Sequence, residues 1–327
     1  GSQTRSRKPS RMAHELSGVV VIDKPSGPTS FDVVRRVKGL FKTRRCGHTG
    51  TLDPTATGVL PICIGDATKI ASFVSEGEKE YDAVVRFGET TDTQDSAGRT
   101  LETRPVEGMT EETVREALQG FVGLVEQTPP MYSARKVEGK RLYELARAGE
   151  EVPREARQVH IDEARLLGFR SPDATIFVRC SKGTYLRTLA HDLGQRLGPG
   201  AHLRELKRAR VGPFSLEDSV GLDVLMAAAK DDREGLHRFV HPVARALDEL
   251  AELRLDTQLA RRVAHGHAPG PADLSRIRAP PFPRGRKVRL MDPEGRVLAV
   301  GESDGVGTLK LLRVLVAGSH DLVEKDY

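Results

Sequence analysis

Apolar positions change their spacing several times along the chain, and each change marks an element. The run GVVVIDKPSG (18–27) is apolar without alternation and ends in Lys-Pro-Ser-Gly, which predicts a strand entering a turn. Thr29 or Ser30 can then cap a helix in which Phe31, Val34, Val37 and Phe41 recur at helical spacing. Its polar face carries Arg35, Arg36, Lys38 and Lys42. VLPICIG (59–65) reads as a buried strand, and DATKIASFV (66–74) as a short helix capped by Asp66. EYDAVVRF (80–87) alternates, with Tyr81, Ala83, Val85 and Phe87 on the inward face and Asp82 and Arg86 on the other. Thr110 opens a helix through Leu118 that Gly120 ends. PPMYSARKVEGKRLYELARAG (129–149) reads as a basic loop followed by a helix ending at Gly149. ATIFVRC (174–180) is a strand, and SKGTYLRTLAHDLGQRLG (181–198) a turn into a helix with the stripe Leu186, Leu189, Ala190, Leu193, Leu197. Thr184 as its cap puts Tyr185 and Arg187 in the first turn.

The pattern changes near residue 250. HPVARALDEL (241–250) is helical, and beyond it KVRLMDPEGRVLAVGE (287–302) and LKLLRVLV (309–316) alternate as strands, with DPEG as a hairpin turn. Three segments follow: a disordered basic arm with a cloning scar over 1–15, a large domain over 16–250, and a small strand-rich domain with one helix over 251–327. Mixed strands and helices with hairpin-like runs predict an α+β fold on an antiparallel or mixed sheet.

A chain of 327 residues can bury the cores of two domains. No window approaches eighteen uncharged apolar residues and no leader-like apolar stretch opens the chain, so a cytoplasmic protein without a membrane span is expected. Cys46, Cys63 and Cys180 form no CxxC pair, which argues for reduced thiols and against zinc or disulfides. The net charge is +5, but the cations are segregated. Val33 to Leu52 holds six Lys/Arg and no acid, as does Leu274 to Met291, while Arg204, Lys207, Arg208 and Arg210 form a third cluster. One such cluster reads as a solvated face; three of them read as surfaces that meet nucleic-acid phosphates.

One carboxylate stands out in GHTGTLDPTATGVLP (47–61), a turn-rich loop between a basic helix and a buried strand. An isolated Asp-Pro is first a turn signal. Here Asp53 has His48 five residues before it, and small Gly and Thr residues around it permit close backbone approach. His48/Asp53 and His191/Asp192 make no closed metal-ligand set. Neither a Walker loop, a strand-linked dinucleotide fingerprint nor a G-x-S-x-G elbow occurs. What remains is a carboxylate acting without metal or cofactor beside phosphate-binding surface.

These residues carry a resemblance. VVIDKPSGPTSFDVV, RRCGHTGTLDPTATGVLPICIGDATK, KEYDAVVRFGETTDTQDSAG, PPMYSARKVEGKRLYELARAGEEVPRE, CSKGTYLRTLAHDLG and GAHLRELKRARVGPFSLEDSV closely resemble the bacterial tRNA pseudouridine synthase B family over about residues 16–225. The last 75 or so residues resemble the family's small PUA-like RNA-binding domain more loosely. The resemblance implies a cofactor-free isomerase that turns uridine 55 of the TΨC stem-loop of tRNA into pseudouridine. It makes 16–250 the catalytic domain and implies a monomer needing no protein partner. Asp53 becomes the catalytic carboxylate, as nucleophile or as the base that starts glycal formation. Arg187 becomes its partner, and Tyr81 the tyrosine that stacks on the base and is a candidate for removing the C5 proton. A phenol titrating near 10 is a poor base at neutral pH, so Tyr81 would need help. Tyr185 and Leu206 would line the uracil pocket, and His48 would fill the space left in the RNA loop when the base flips out. Lys24, Pro25, Gly47 and Pro54 would support the pocket. The 30–41 helix, the 135–147 segment and the Arg204–Arg210 cluster would grip phosphates. An RNA chaperone on the same fold and a guide-RNA-dependent ribosomal RNA enzyme are the alternatives.

Overall fold

Both faces of the strand Gly18–Lys24 (β1) are covered, which is why GVVVI shows no alternation. In the computed structural model, which describes residues 15–132, 136–137, 140–141, 144, 146, 149 and 152–315, β1 lies in a large mixed sheet. Its other principal strands are Cys46–His48 (β2), Thr57–Ile64 (β3), Lys79–Phe87 (β4), Gly123–Gln127 (β5), Arg157–Arg170 (β6), Asp173–Cys180 (β7), Ala201–Val211 (β8) and Val220–Gly221 (β9). The order is β9-β1-β3-β8-β4-β7-β6-β5, with β2 beside β3. The β9–β1 and β3–β8 pairs are parallel and the remaining neighbours antiparallel.

Val20 and Ile22 of β1, with Leu60 and Ile62 of β3, pack under the helices Ser30–Phe41 (α1) and Leu222–Asp231 (α4). On the same side, β4 and β7 pack under Glu111–Gln119 (α2) and Leu186–Leu197 (α3) through Tyr81, Val85, Ile176, Val114, Leu118, Leu189 and Leu193. Leu206 of β8 touches both clusters and joins them. From β1 and β3 the alternate residues Val19, Val21, Val59 and Cys63 point to the opposite face. There they join a cluster with Ala67, Phe214, Val243 and Leu247 that extends to Met291, Val297, Val300 and Leu315 of the C-terminal domain.

That domain is a four-stranded sheet of Ala251–Arg254 (β10), Lys287–Met291 (β11), Val297–Ser303 (β12) and Leu309–Val314 (β13), with helices Thr257–Ala264 (α5) and Pro271–Arg276 (α6). The DPEG hairpin forms as expected between β11 and β12, with Gly295 at φ 87°. A second short helix joins the one expected.

Local differences have local causes. Thr29 rather than Ser30 caps α1, in a reciprocal box with Asp32. Phe31 is 65% exposed beneath the Arg35 guanidinium, and Val33 takes its place in the core. The 66–74 segment opens as a 3₁₀ turn without side-chain capping, and Asp66 instead pairs with Arg45 and Lys69. Thr184 does not cap α3: its hydroxyl donates to the Ser181 carbonyl, and Tyr185 is the N-terminal flank. The 241–250 helix shrinks to Val243–Ala246. The basic arm over 1–14, and most of the 135–147 segment with the helix ending at Gly149, lie outside the described residues.

Candidate active site

The expected site residues meet where the α1 and α3 clusters join. Asp53 sits on the loop between β2 and β3, and its neighbours hold that loop by its backbone. The Ser30 hydroxyl donates to the Leu52 carbonyl and accepts from the Leu52 N–H, both at 2.8 Å. Lys24 is fully buried and donates to the carbonyls of Pro25 (2.8 Å), Pro28 (2.9 Å) and Pro54 (3.0 Å). Gly27 N–H also donates to Pro54, and the Asp53 carbonyl accepts from Ala56. The loop is thus fixed while the Asp53 side chain stays 38% exposed.

Arg187, in the first turn of α3, points its Nε to Asp53 Oδ2 at 3.3 Å and is itself only 7% exposed. A first-turn surface arginine, which the residues alone favour, is not what forms. The leucine stripe turns this side of α3 inward, and the Thr93 carbonyl accepts from Arg187 Nη1 at 3.4 Å. Tyr185 is half-buried beside it. Its backbone is held by a residue that sequence reasoning missed, the buried Gln127 at the end of β5. Gln127 Oε1 accepts from Tyr185 N–H at 2.9 Å, and Nε2 donates to the Tyr185 carbonyl at 3.2 Å. No local sequence signal joins residues 58 positions apart.

Tyr81 lies on the inward face of β4, as its alternation predicts. Burial pushes its phenol up to about 12, against the pull of the nearby Arg208 cation. It is therefore a neutral ring at physiological pH, and the surroundings give no net help toward a base. Leu206 is half-buried beside Ala83. His48 ends β2, where its Nδ1 accepts from Gly50 N–H at 3.2 Å. Burial, and then Arg208, lower its pKa, so the ring is neutral with its proton on Nε2. Pro25 and Pro54 are exposed at the rim. Gly47 has open space where a Cβ would stand, so close approach is not its role.

Of the Arg204–Arg210 cluster, only Arg208 is withdrawn from the surface. Arg204 pairs with Asp173 at 2.6 Å and Arg210 with Glu80 at 3.5 Å. Arg208 is buried, while Lys207 is exposed. On this central strand Arg208 turns inward to main-chain carbonyls, while Arg204, Lys207 and Arg210 keep exposed side chains.

The buried lysines make stability depend on pH. Burial lowers Lys24 and Lys79 from 10.5 to about 8. Burial raises Cys46 from 9.0 to about 11, and Cys63 and Cys180 to about 12. From about pH 8 to 9 the folded lysines release protons that the unfolded chain keeps, so stability rises with pH. Above about pH 9 the unfolded thiols ionise while the folded ones stay neutral, and the trend reverses. The unfolding free energy from urea titration is expected to peak near pH 9, about 1–2 kcal/mol above its value at pH 7. A midpoint falling steadily over that range would contradict charged lysines in the core.

Sequence comparison meets this geometry from outside. A sequence model described as TruB family pseudouridylate synthase (N terminal domain) matches residues 38–186, and one described as tRNA pseudouridylate synthase B C-terminal domain matches 187–248. The chain is 44% identical over 317 residues to tRNA pseudouridine synthase B of Burkholderia mallei (strain ATCC 23344), covering 97% of this chain and 99% of that protein. The chain belongs to the TruB family of pseudouridine synthases.

Another TruB family relative, tRNA pseudouridine synthase B of Stutzerimonas stutzeri (strain A1501), is 41% identical over 93% of this chain and 97% of its own length. The large mixed sheet with flanking helices is the pseudouridine synthase fold. It is similar to a chain in the crystal structure of a Cbf5-Nop10-Gar1 complex, at a TM-score of 0.71 and 25% identity over 94% of this chain and 87% of that one. A chain of the archaeal box H/ACA sRNP Nop10-Cbf5 complex shares the fold at a TM-score of 0.70 and 24% identity, over 98% and 92%. The boundary between the two TruB matches falls in the first turn of α3, inside one continuous core, and separates Tyr185 from Arg187. No helix among the described residues is long and apolar enough to cross a membrane.

Proposed function

We propose that this chain isomerises uridine 55 of the TΨC stem-loop of tRNA to pseudouridine, with Asp53 as the catalytic carboxylate. The observation that carries the reading is the Asp53–Arg187 pair, with a half-exposed carboxylate on a braced loop and a buried guanidinium behind it. Family membership supports the reaction class. The N1–C1′ bond of the nucleotide breaks, C5–C1′ forms, the C5 proton leaves and N1 gains one, with no net redox change. Asp53 supplies the negative group that engages the sugar–base unit, and Arg187 stabilises that charge. Tyr81, Tyr185 and Leu206 wall the uracil. A neutral Tyr81 favours stacking, and a role in removing the C5 proton would draw on Arg208, the neighbour that lowers its pKa. His48 offers a flat ring and a free Nε2 donor to the vacated RNA stack. Lys24, Pro25 and Pro54 shape the rim.

The exposed cations of α1 (Arg35, Arg36, Lys38, Lys42) fit phosphate contacts. Residues 251–327 act as a PUA-like RNA-binding domain with Arg278, Arg284 and Arg286 exposed, whereas Arg276, Lys287 and Arg289 are tied to acids. The enzyme acts in the cytoplasm as a monomer, without metal, cofactor or obligatory protein partner. The purified chain alone, given an unmodified tRNA transcript carrying 5-tritiated uridine, is expected to release tritium with turnover. No release at stoichiometric enzyme would overturn the proposal. Binding without release would favour a chaperone, and release only with added guide RNA the guided enzyme.

A further inference from the structure

Arg208 is a cation with nowhere to meet a phosphate. It lies on β8 between β3 and β4, opposite Gly58 on one side and Tyr81 on the other. The β3 backbone touches it: Gly58 has φ 104°, and a Cβ there would stand 2.2 Å from the Arg208 carbonyl oxygen. The residue is 2% exposed, and its guanidinium donates to three main-chain oxygens and also faces the Tyr81 hydroxyl. Nε donates to Val59 at 2.9 Å, Nη1 to Thr51 at 3.3 Å and Nη2 to Gly50 at 3.1 Å. Gly50 and Thr51 precede Asp53, and Val59 follows it, so one planar fork spans both limbs of the loop. Gly50 also carries the N–H that His48 Nδ1 accepts, so the fork holds, through its carbonyl, the residue whose amide orients His48. Ser30 and Lys24 hold the same loop from the α1 side, at Leu52 and Pro54. Among the described residues no carboxylate lies within ion-pair distance of Arg208, which leaves its charge to act on His48 and Tyr81.

We infer that Arg208 is a positioning residue that locks Asp53 and His48 into one rigid unit, and not a contact for RNA phosphates. A lysine keeps the charge but loses the planar fork, in which three separate nitrogens each meet their own carbonyl on the two limbs of the loop. The inference rests on the proposed reaction only for its catalytic readout.

The test uses Arg208→Lys and Arg208→Gln in the full chain, beginning without RNA. Amide hydrogen exchange in Arg208→Lys is expected to speed up over residues 49–54 while β4 and β7 stay protected. In Arg208→Gln the NMR titration midpoint of His48 is expected to move up, because a repelling charge has gone. With tRNA at saturating enzyme, the single-turnover rate of Arg208→Lys, scaled to the folded fraction, should fall at least about tenfold. Its tRNA Kd should stay within about twofold, with an unchanged salt slope. A wild-type rate and loop exchange, with weaker binding and a salt slope smaller by about one, would make Arg208 a phosphate contact and overturn the inference. Exchange rising across the whole sheet, or a wild-type rate per folded molecule, would overturn it as well. If the wild-type chain makes no pseudouridine the proposed function fails, while the exchange and titration results still judge Arg208.

Discussion

Asp53→Asn is expected to lower pseudouridine formation by about ten-thousand-fold, the scale on which removing a principal catalytic group acts. The substitution is nearly isosteric, and apart from the Arg187 contact no brace on the loop uses the Asp53 side chain. Ser30 holds Leu52, Lys24 holds Pro54, and Arg208 holds Gly50 and Thr51, all through the main chain. The loop should therefore keep its shape, and tRNA affinity should change by no more than a few-fold. Removing a negative charge near RNA, if anything, tightens binding. Filter binding beside tritium release separates the two quantities. Turnover within tenfold of wild type would remove Asp53 from the chemistry.

Arg187→Met should cost about 100- to 1,000-fold in the single-turnover rate, as for losing one preorganised charge partner in a catalytic site. Its Nε stands 3.3 Å from Asp53, and its Nη1 reaches the Thr93 carbonyl. Methionine fills the volume but leaves the carboxylate without its counter-charge. Arg187→Lys should recover little, because one ammonium cannot serve both partners from the same helix position. Stability should move far less than rate, since the Asp53 carboxylate is open enough for water to replace part of the lost interaction. Melting temperature and rate, measured on the same samples, check this. A rate within threefold of wild type would make the pair a structural contact only.

How legible each part was follows from how local its cause is. The Thr29 cap and the strand Lys79–Phe87 are written in neighbouring residues, and both form as the pattern implies. The unbroken apolar run of β1 marked a strand, and its lack of alternation is explained by the two covered faces the structure shows. Ala201–Val211 carried no such mark. Nothing local tells the buried Arg208 from its exposed neighbours, because its partners are remote in sequence, the Val59 carbonyl among them. Arg187 was misleading for the same reason, since a first-turn arginine is buried only when a distant loop arrives to cover it. The Asp53 motif was readable as unusual chemistry, and the resemblance supplied its partners. The braces from Ser30, Gln127 and Arg208 emerge only in three dimensions, being bonds between side chains and main chain that leave no compositional trace.

The two covered faces of β1 and β3 also bear on how this enzyme can evolve. Val19, Val21, Val59 and Cys63 share one buried apolar cluster with Met291, Val297, Val300 and Leu315, a cluster that also takes in Ala67, Phe214, Val243 and Leu247, so the strands beneath the Asp53 loop have no solvent side to fall back on. The C-terminal domain is then no detachable accessory that a lineage can exchange freely for another RNA-binding module. A replacement must arrive with a matching apolar underside, and drift in either partner is constrained by the other.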